Sequence, residues 1–444
     1  MKRSMRTQCT HSRRRLMGAG AAAACSLTIA CSARADTGDP FPLEQVHDAF
    51  RLHPGEGSEE RWQKLVRACV GLDVMPGSKP IFDGDVAEGL RTYNYLAFVW
   101  QAASDTLPGK RSTLGAGRIN LRADALLFRN EGQGMGRVTA QVHVNGVWPD
   151  LSDSLQSSTG SISDLDELQS RHPSNLSRLS YTQSFLDDRL MLAIGKIGAN
   201  DYVLSNVFAN NEAKQFLAQP FDGNSVWPVS FQNHTVGLGL VSLPADWCFI
   251  NGFLSDAASS QSPWLSDAFG AGFAVSGEFG LLAEIDGMPA RLSFAWCGTN
   301  ANAATAAGTE SNDGLWGNAY GSIAQLLIQP KLAVWAQWSA CDASVASSAD
   351  AEFALGMTID DCFGRKGDGF GAAIAWSAPT KQTPTKQTPT NQALDDQILL
   401  ESYYRFEVAK DLQISLDGQV LMPSSNSGVD DPTVIGSVRA MWRF

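Results

Sequence analysis

Beyond its amino-terminal segment the chain has no uninterrupted apolar run of the roughly 18 residues that a membrane-crossing helix requires. Yet only 18% of its 444 residues are charged. Low charge without spanning helices fits a closed sheet, in which a polar inner face dilutes an apolar outer one. Clusters of Lys and Arg are missing after the first residues, and the formal net charge is −12. That balance excludes a surface built for phosphate backbones, so no nucleic-acid partner is expected. Cysteine is sparse: once a targeting segment is removed, Cys69, Cys248, Cys297, Cys341 and Cys362 remain. An odd number of thiols without a CxxC pair makes neither a zinc site nor a complete disulfide framework, and most read as small apolar fillers. Cys341 and Cys362 fall near opposite ends of one strand pair, which argues against a bridge between them. No GxSxG, HExxH or phosphate-loop pattern is present, and only His143, His172 and His234 lie where they could serve a nucleophile as base. The chain therefore reads as a non-enzyme that needs no cofactor and no metal.

The amino terminus is a targeting segment. Arg13, Arg14 and Arg15 precede an apolar stretch over 16–30, and Ala33-Arg34-Ala35 forms a small-x-small cleavage site before Asp36. Residues 1–35 are the expected signal peptide. Ser12 to Leu16 has a twin-arginine look, but that route carries folded cargo, whereas a membrane barrel crosses unfolded, so the arginines read as an ordinary basic region. Cys31 follows Thr28 where a lipidation site wants Leu, so a lipid anchor is not expected. Residues 36–91 differ from the rest: Leu43, Val46, Phe50, Trp62, Leu65, Val66 and Cys69 have helical spacing. They form a short, partly helical pre-barrel segment, periplasmic or tucked into the lumen.

From about Tyr93 onward the pattern has period two. In the last segment, 433–444, Val434, Gly436, Val438, Ala440, Trp442 and Phe444 share one face, while Ile435, Ser437, Arg439, Met441 and Arg443 share the other. A strand that ends on Phe444 carries the mark that the assembly machinery of outer-membrane barrels reads. In 117–129, Ile119, Leu121, Ala123, Ala125 and Leu127 oppose Arg118, Asn120, Arg122, Asp124 and Leu126. Four charged or amide groups in a row cannot face lipid and should line water. Further strands are expected at 92–102, 136–148, 175–185, 189–197, 234–243, 247–254, 269–285, 290–297, 315–328, 331–340, 351–358, 368–376, 399–408 and 411–422. The fold class is thus all-β, a transmembrane antiparallel β-barrel of about sixteen strands over 92–444. Tight turns such as Leu186-Asp187-Asp188, Pro244-Ala245-Asp246 and Gln329-Pro330 alternate with long loops such as 149–174, 298–314 and 377–398. An even count puts both barrel ends and the short turns in the periplasm of a bacterial outer membrane. The Thr-Lys-Gln-Thr-Pro repeat over 379–390 suits a solvated outer loop. Trp148, Trp338, Trp376 and Trp442 near strand ends read as an interfacial belt.

Sixteen strands enclose more width than side chains fill, so the expected interior is an aqueous channel. Arg118, Arg122, Asp124, Arg137, His143, Glu401, Arg405, Asp417 and Arg439 lie on the polar faces of their strands and are candidate lumen groups. Each could equally brace the wall through salt bridges. The third long loop, 198–233, combines amides and charges with the apolar anchors Phe208, Phe216 and Trp227. Asn200, Asp201, Asn206, Asn210, Asn211, Glu212, Lys214 and Gln215 are among its polar residues.

Two blocks carry a resemblance. Gly195-Lys196-Ile197-Gly198-Ala199-Asn200-Asp201-Tyr202, followed by Asn206, Phe208-Ala209-Asn210-Asn211 and Gln215-Phe216-Leu217, is similar to the corresponding stretch of the carbohydrate-selective porin family OprB. So is Glu401-Ser402-Tyr403-Tyr404-Arg405-Phe406, followed by Leu412, Asp417, Gln419, Pro423 and the strand from Arg439 to Phe444. The family's tryptophan- and glycine-rich opening is not recognisable in 36–91. The resemblance implies passive diffusion of small carbohydrates through a water-filled outer-membrane pore, with the third loop folded inward as a constriction. Under it Lys196, Asn200, Asp201, Asn210 and Asn211 join the wall residues as pore-lining or sugar-binding candidates. Opposed arginine and carboxylate clusters would set a transverse field there. The expected partners are small carbohydrates, outer-membrane lipid and the barrel-assembly machinery, with monomer and homotrimer both open. A general, non-selective porin shares every strand argument, and a barrel-embedded enzyme or a surface adhesin has less in its favour.

Overall fold

The computed structural model describes residues 90–444 apart from 131–133, 151–152, 171, 187–188, 229–233, 257–271, 287, 301–315, 330, 343, 346, 381–394, 423–428 and 430. The expected signal peptide, the helical pre-barrel positions and the repeat tract over 381–390 lie outside the described residues.

Sixteen antiparallel strands close into one barrel. They are β1 Leu90–Ala103, β2 Thr113–Asn130, β3 Gly134–Trp148, β4 Ser174–Phe185, β5 Leu190–Gly198, β6 His234–Ala245, β7 Cys248–Asp256 and β8 Phe273–Ile285. The second half comprises β9 Met288–Thr299, β10 Gly317–Gln329, β11 Leu332–Cys341, β12 Ala349–Asp360, β13 Gly369–Pro379, β14 Gln397–Ala409, β15 Leu412–Met422 and β16 Thr433–Arg443. Every strand pairs with its sequence neighbours, and β1 pairs with β16 from Tyr95 opposite Arg443 to Ala103 opposite Ile435. Closure leaves no open edge, so every strand can satisfy its backbone groups within the wall. Among the described residues no helix is long and apolar enough to cross a membrane.

The period-two pattern becomes an inside and an outside. On β2, Ile119 and Leu121 are exposed on the outer face while Arg118 and Asn120 are buried on the inner one. On β16, Val434, Val438 and Trp442 are exposed, while Ile435, Ser437, Arg439 and Met441 are buried. Outward tryptophans mark both rims: Trp100, Trp148, Trp296, Trp316 and Trp338 at the ends of long loops, Trp247 and Trp442 beside short turns. Trp376 donates its indole N–H to Asp396 at 3.0 Å. A register shift between β3 and β4 sets Arg178 opposite Gln141 and Leu176 opposite Val142. Ser177 is the extra residue of this bulge, which keeps Arg178 on the inner face.

Connections alternate in length. Those after β4, β6, β8, β10 and β14 are tight, and the turn after β12 contains a 3-10 segment, Cys362–Gly364. Exposed ion pairs stitch neighbouring turns, Arg189 with Asp246 and Lys331 with Asp361 at 2.9 Å. Cys248, Cys297, Cys341 and Cys362 are unbridged thiols.

The interior departs from a purely aqueous lumen. Two apolar clusters line it, each built from inward strand residues and from loop residues folded between them. Close backbone approach makes room for the larger aromatics. A Cβ on Gly356 would sit 2.4 Å from the Trp335 ring, and one on Gly371 would sit 2.3 Å from the Tyr403 ring. Each ring therefore occupies the space that a side chain on the paired glycine would need.

Candidate functional site: a two-loop constriction

The loop between β5 and β6 turns into the barrel at once. Its described part runs from the 3-10 turn Ala199–Asp201 to residue 228. Tyr202, Phe208, Phe216, Phe221 and Trp227 are each at most 2% exposed. A loop that carries five such side chains must bury them, and an apolar patch on the inner wall is the surface in reach. Phe216 meets Tyr403 edge-on at 5.1 Å and Trp335 at 6.0 Å between ring centroids.

Polar wall residues hold the loop at successive stations. Near its start, Arg178 on β4 forms an ion pair with Asp201. Asn251 on β7 donates to the Tyr202 carbonyl and Glu278 on β8 accepts from the Leu204 N–H at 3.2 Å. Arg291 on β9 donates to the Ser205 carbonyl at 3.1 Å and pairs with Glu278 at 2.6 Å. At the inward tip, Arg118 on β2 pairs with Glu212, and Arg439 on β16 donates to the Glu212 carbonyl and, at 2.7 Å, to that of Gln215. Arg405 on β14 donates to the Lys214 carbonyl at 3.3 Å. Glu401, also on β14, accepts the Leu217 and Ala218 N–H groups at 2.6 and 3.0 Å. On the return, Gln337 donates to the Pro220 carbonyl, and Glu352 accepts the Ser225 N–H at 3.3 Å. Buried charges persist here because each meets an opposite charge or an oriented backbone dipole.

The loop between β3 and β4 folds inward as well. Its short helix Leu155–Thr159 is capped by Ser154 and ended by Gly160 in the left-handed region. Leu155, Ile162, Leu165 and Leu168 are buried. Glu167 N–H donates to the Leu217 carbonyl at 2.9 Å, and Gln219 N–H donates to the Asp164 carbonyl at 3.0 Å. Burial, with Asp164 beside it, pushes the Asp166 carboxyl up to about 7.

The candidates named from sequence take distinct places. Arg118, Glu401, Arg405, Asp417 and Arg439 are buried, and Arg439 pairs with Asp417 at 3.1 Å. Asp201 spans loop and wall. Arg122 grips Asp124 through two nitrogens at 2.9 and 3.1 Å, both groups keeping some exposure. Arg137, also half-buried, lies close enough to act on the Asp124 charge. His143 shares hydrogen bonds with Asn120 at 3.0 Å and Gln141 at 2.9 Å. Asn200, Asn210 and Asn211 are half-buried on the third loop, where Asn210 N–H donates to the Asn206 carbonyl at 2.8 Å. Lys196 shares a strand face with the exposed Leu192 and Ile194, opposite Leu179 and Val236, and is itself 2% exposed. Gly195 before it has a φ of +135°, and Lys196 is covered where the strand leads into the third loop. The reading by sequence missed Asn251, Glu278, Arg291, Gln337 and Glu352. Glu278 and Arg291 had a signal, being charges that alternate with apolar neighbours inside strands.

Basic groups on the β2–β4 wall thus pair with acidic groups of the third loop, Arg118 with Glu212 and Arg178 with Asp201. Arg122, Asp124, Gln141, Asn210 and Asn211 are half-buried donors and acceptors on the two sides. Paired donors and acceptors of this kind suit hydroxyl-rich solutes.

A family model described as carbohydrate-selective porin, OprB family, matches residues 151–444. No curated protein matches the chain. Among solved structures, the high-pH structure of Pseudomonas putida OprB superposes with a TM-score of 0.66 at 14% identity, over 81% of this chain and 95% of that one. The low-pH structure of the same protein gives 0.49 at 12% identity, over 83% and 100%. A mutant of Rh. blastica porin gives 0.47 at 10% identity, over 80% and 100%. At these identities the first likeness shows a shared fold, and the two looser ones carry no argument.

Proposed function

Because the chain belongs to the OprB family of carbohydrate-selective porins, we propose that it passes small neutral sugars passively across the bacterial outer membrane through a water-filled constriction. One observation carries this reading. The amide-bearing stretch of the third loop is held against the basic β2–β4 wall by two ion pairs, Arg118 with Glu212 and Arg178 with Asp201. Half-buried hydrogen-bonding groups stand on both the wall and the loop, Arg122 and Asp124 on β2, Asn210 and Asn211 on the third loop. Arg122, Asp124, Asn210 and Asn211 exchange hydrogen bonds with sugar hydroxyls, which replace the water a sugar loses on entry. The long loops face outward and the short turns face the periplasm.

Single-channel recording with added sugar tests the proposal. Ion current through the reconstituted barrel falls in a dose-dependent way with a neutral hexose, and less with a non-sugar solute of equal size. Arg122→Ala weakens that block. Equal block by the two solutes would mean a general porin that ranks solutes by size.

A further inference from the structure

A line of hydrogen bonds runs inside the barrel from β2 to β14. Arg118 Nη2 donates to the Glu167 carbonyl at 2.8 Å and to that of Leu168 at 3.2 Å. Glu167 N–H donates to the Leu217 carbonyl at 2.9 Å. Leu217 N–H donates to Glu401 Oε1 at 2.6 Å, and Ala218 N–H donates to Oε2 at 3.0 Å. Both ends are buried, Arg118 at 7% and Glu401 at 2% exposure. Between their strands lie β1, β16 and β15.

Each end holds both loops. Arg118 also pairs with Glu212 of the third loop. Glu401 also accepts from Gln419 Nε2 at 3.1 Å, and the same amide donates to the Leu165 carbonyl of the second loop at 3.0 Å. The loops bond to each other beyond this line, Ser225 Oγ to Ser163 Oγ at 2.8 Å. Ala97 and Val99 of β1, Ile435 and Met441 of β16, and Leu165 and Leu168 of the second loop belong to one cluster and are each at most 1% exposed. Solute has no room among them.

We infer that Arg118 and Glu401 are positioning residues that lock the second and third loops, which together narrow the barrel, into a single rigid strut. The inference rests on the porin reading and deepens it: neither end residue touches sugar. Both fix where the sugar-contacting groups stand.

Single-channel conductance and current noise in potassium chloride, without sugar, test it on the full-length barrel. A missing sugar preference would sink the sugar reading and leave this test standing. Arg118→Met and Glu401→Ala each raise conductance about twofold, as conductance follows the open cross-section, and add flicker. The double variant exceeds neither single one, because either change releases the same strut. In Glu401→Ala, cysteines at Ser163 and Ser225 restore the original conductance on oxidation and lose it on reduction. Wild-type conductance in either single variant with intact heat-modifiable migration, or additive effects, would overturn the inference. Should the single variants fail to assemble, the Ser163→Cys/Ser225→Cys chain alone decides. Conductance unchanged by oxidation supports one rigid unit, and a pore narrowed by oxidation refutes it.

Discussion

Phe216→Ala separates loop docking from barrel closure. Phe216 is fully buried and packs against Tyr403 at 5.1 Å, Phe221 at 5.3 Å and Trp335 at 6.0 Å. Truncating such a ring costs about 3–5 kcal/mol, of which aromatic pairing accounts for about 0.5–1.5 kcal/mol per pair. The sixteen strand ladders do not include Phe216, so the loss falls on docking of the third loop. At about 3 kcal/mol, the ratio of docked to undocked loop falls by a factor on the order of 100. Lys214 lies two residues before the ring, and its carbonyl is held by Arg405. Trypsin therefore cleaves after Lys214 far faster in Phe216→Ala than in the parent, and channel current becomes noisier, while heat-modifiable migration of the barrel persists. If Lys214 stays protected and the melting temperature of the whole barrel drops instead, Phe216 supports the wall rather than the loop.

Three further outcomes follow from buried and exposed charge. Arg291→Met leaves Glu278 unpaired at zero exposure and costs about 3–5 kcal/mol. Adding Glu278→Gln recovers much of the loss in thermal unfolding. Docking of the second loop weakens as pH rises, because the Asp166 carboxyl is raised to about 7 by burial. The docked loop therefore holds a proton that the free loop has released. The contribution is whole below the ordinary carboxylate range and is lost as pH rises through about 7, so proteolysis of the loop accelerates over that window. Asp166→Asn makes the profile shallower, and Glu167 of the same loop, pushed up to about 8 by burial, carries the remainder. Arg189→Ala removes a half-exposed tie to Asp246 and shifts stability by no more than about 1 kcal/mol, with conductance unchanged.

Much of the barrel is legible in sequence because lipid on one side and water or loop on the other impose strict alternation. The strands expected over 117–129 and 433–444 coincide with β2 and β16 to within a few residues, and the others differ mostly at their ends. Ends are blurred because ladders continue past the last apolar residue: β12 runs to Asp360, whose carboxylate meets Arg405 at 3.3 Å. The inward second loop is not legible. Leu155, Ile162, Leu165 and Leu168 follow no strand period, and the backbone groups that bond this loop to the third one, Glu167 with Leu217 and Asp164 with Gln219, lie far apart in the chain. Nor does a polar strand face distinguish a solute contact from a brace. Arg118 and Arg122 look alike in sequence, yet one reaches across to two loops while the other folds onto Asp124 two residues along its own strand.

A barrel narrowed by these two loops should prefer sugars. Liposomes carrying the refolded protein, placed in isotonic solutions of neutral sugars, sugar acids and amino acids of matched size, read it directly through their swelling rate. Neutral sugars are expected to enter faster than equally sized solutes of the other two classes. Entry ranked by size alone would contradict it.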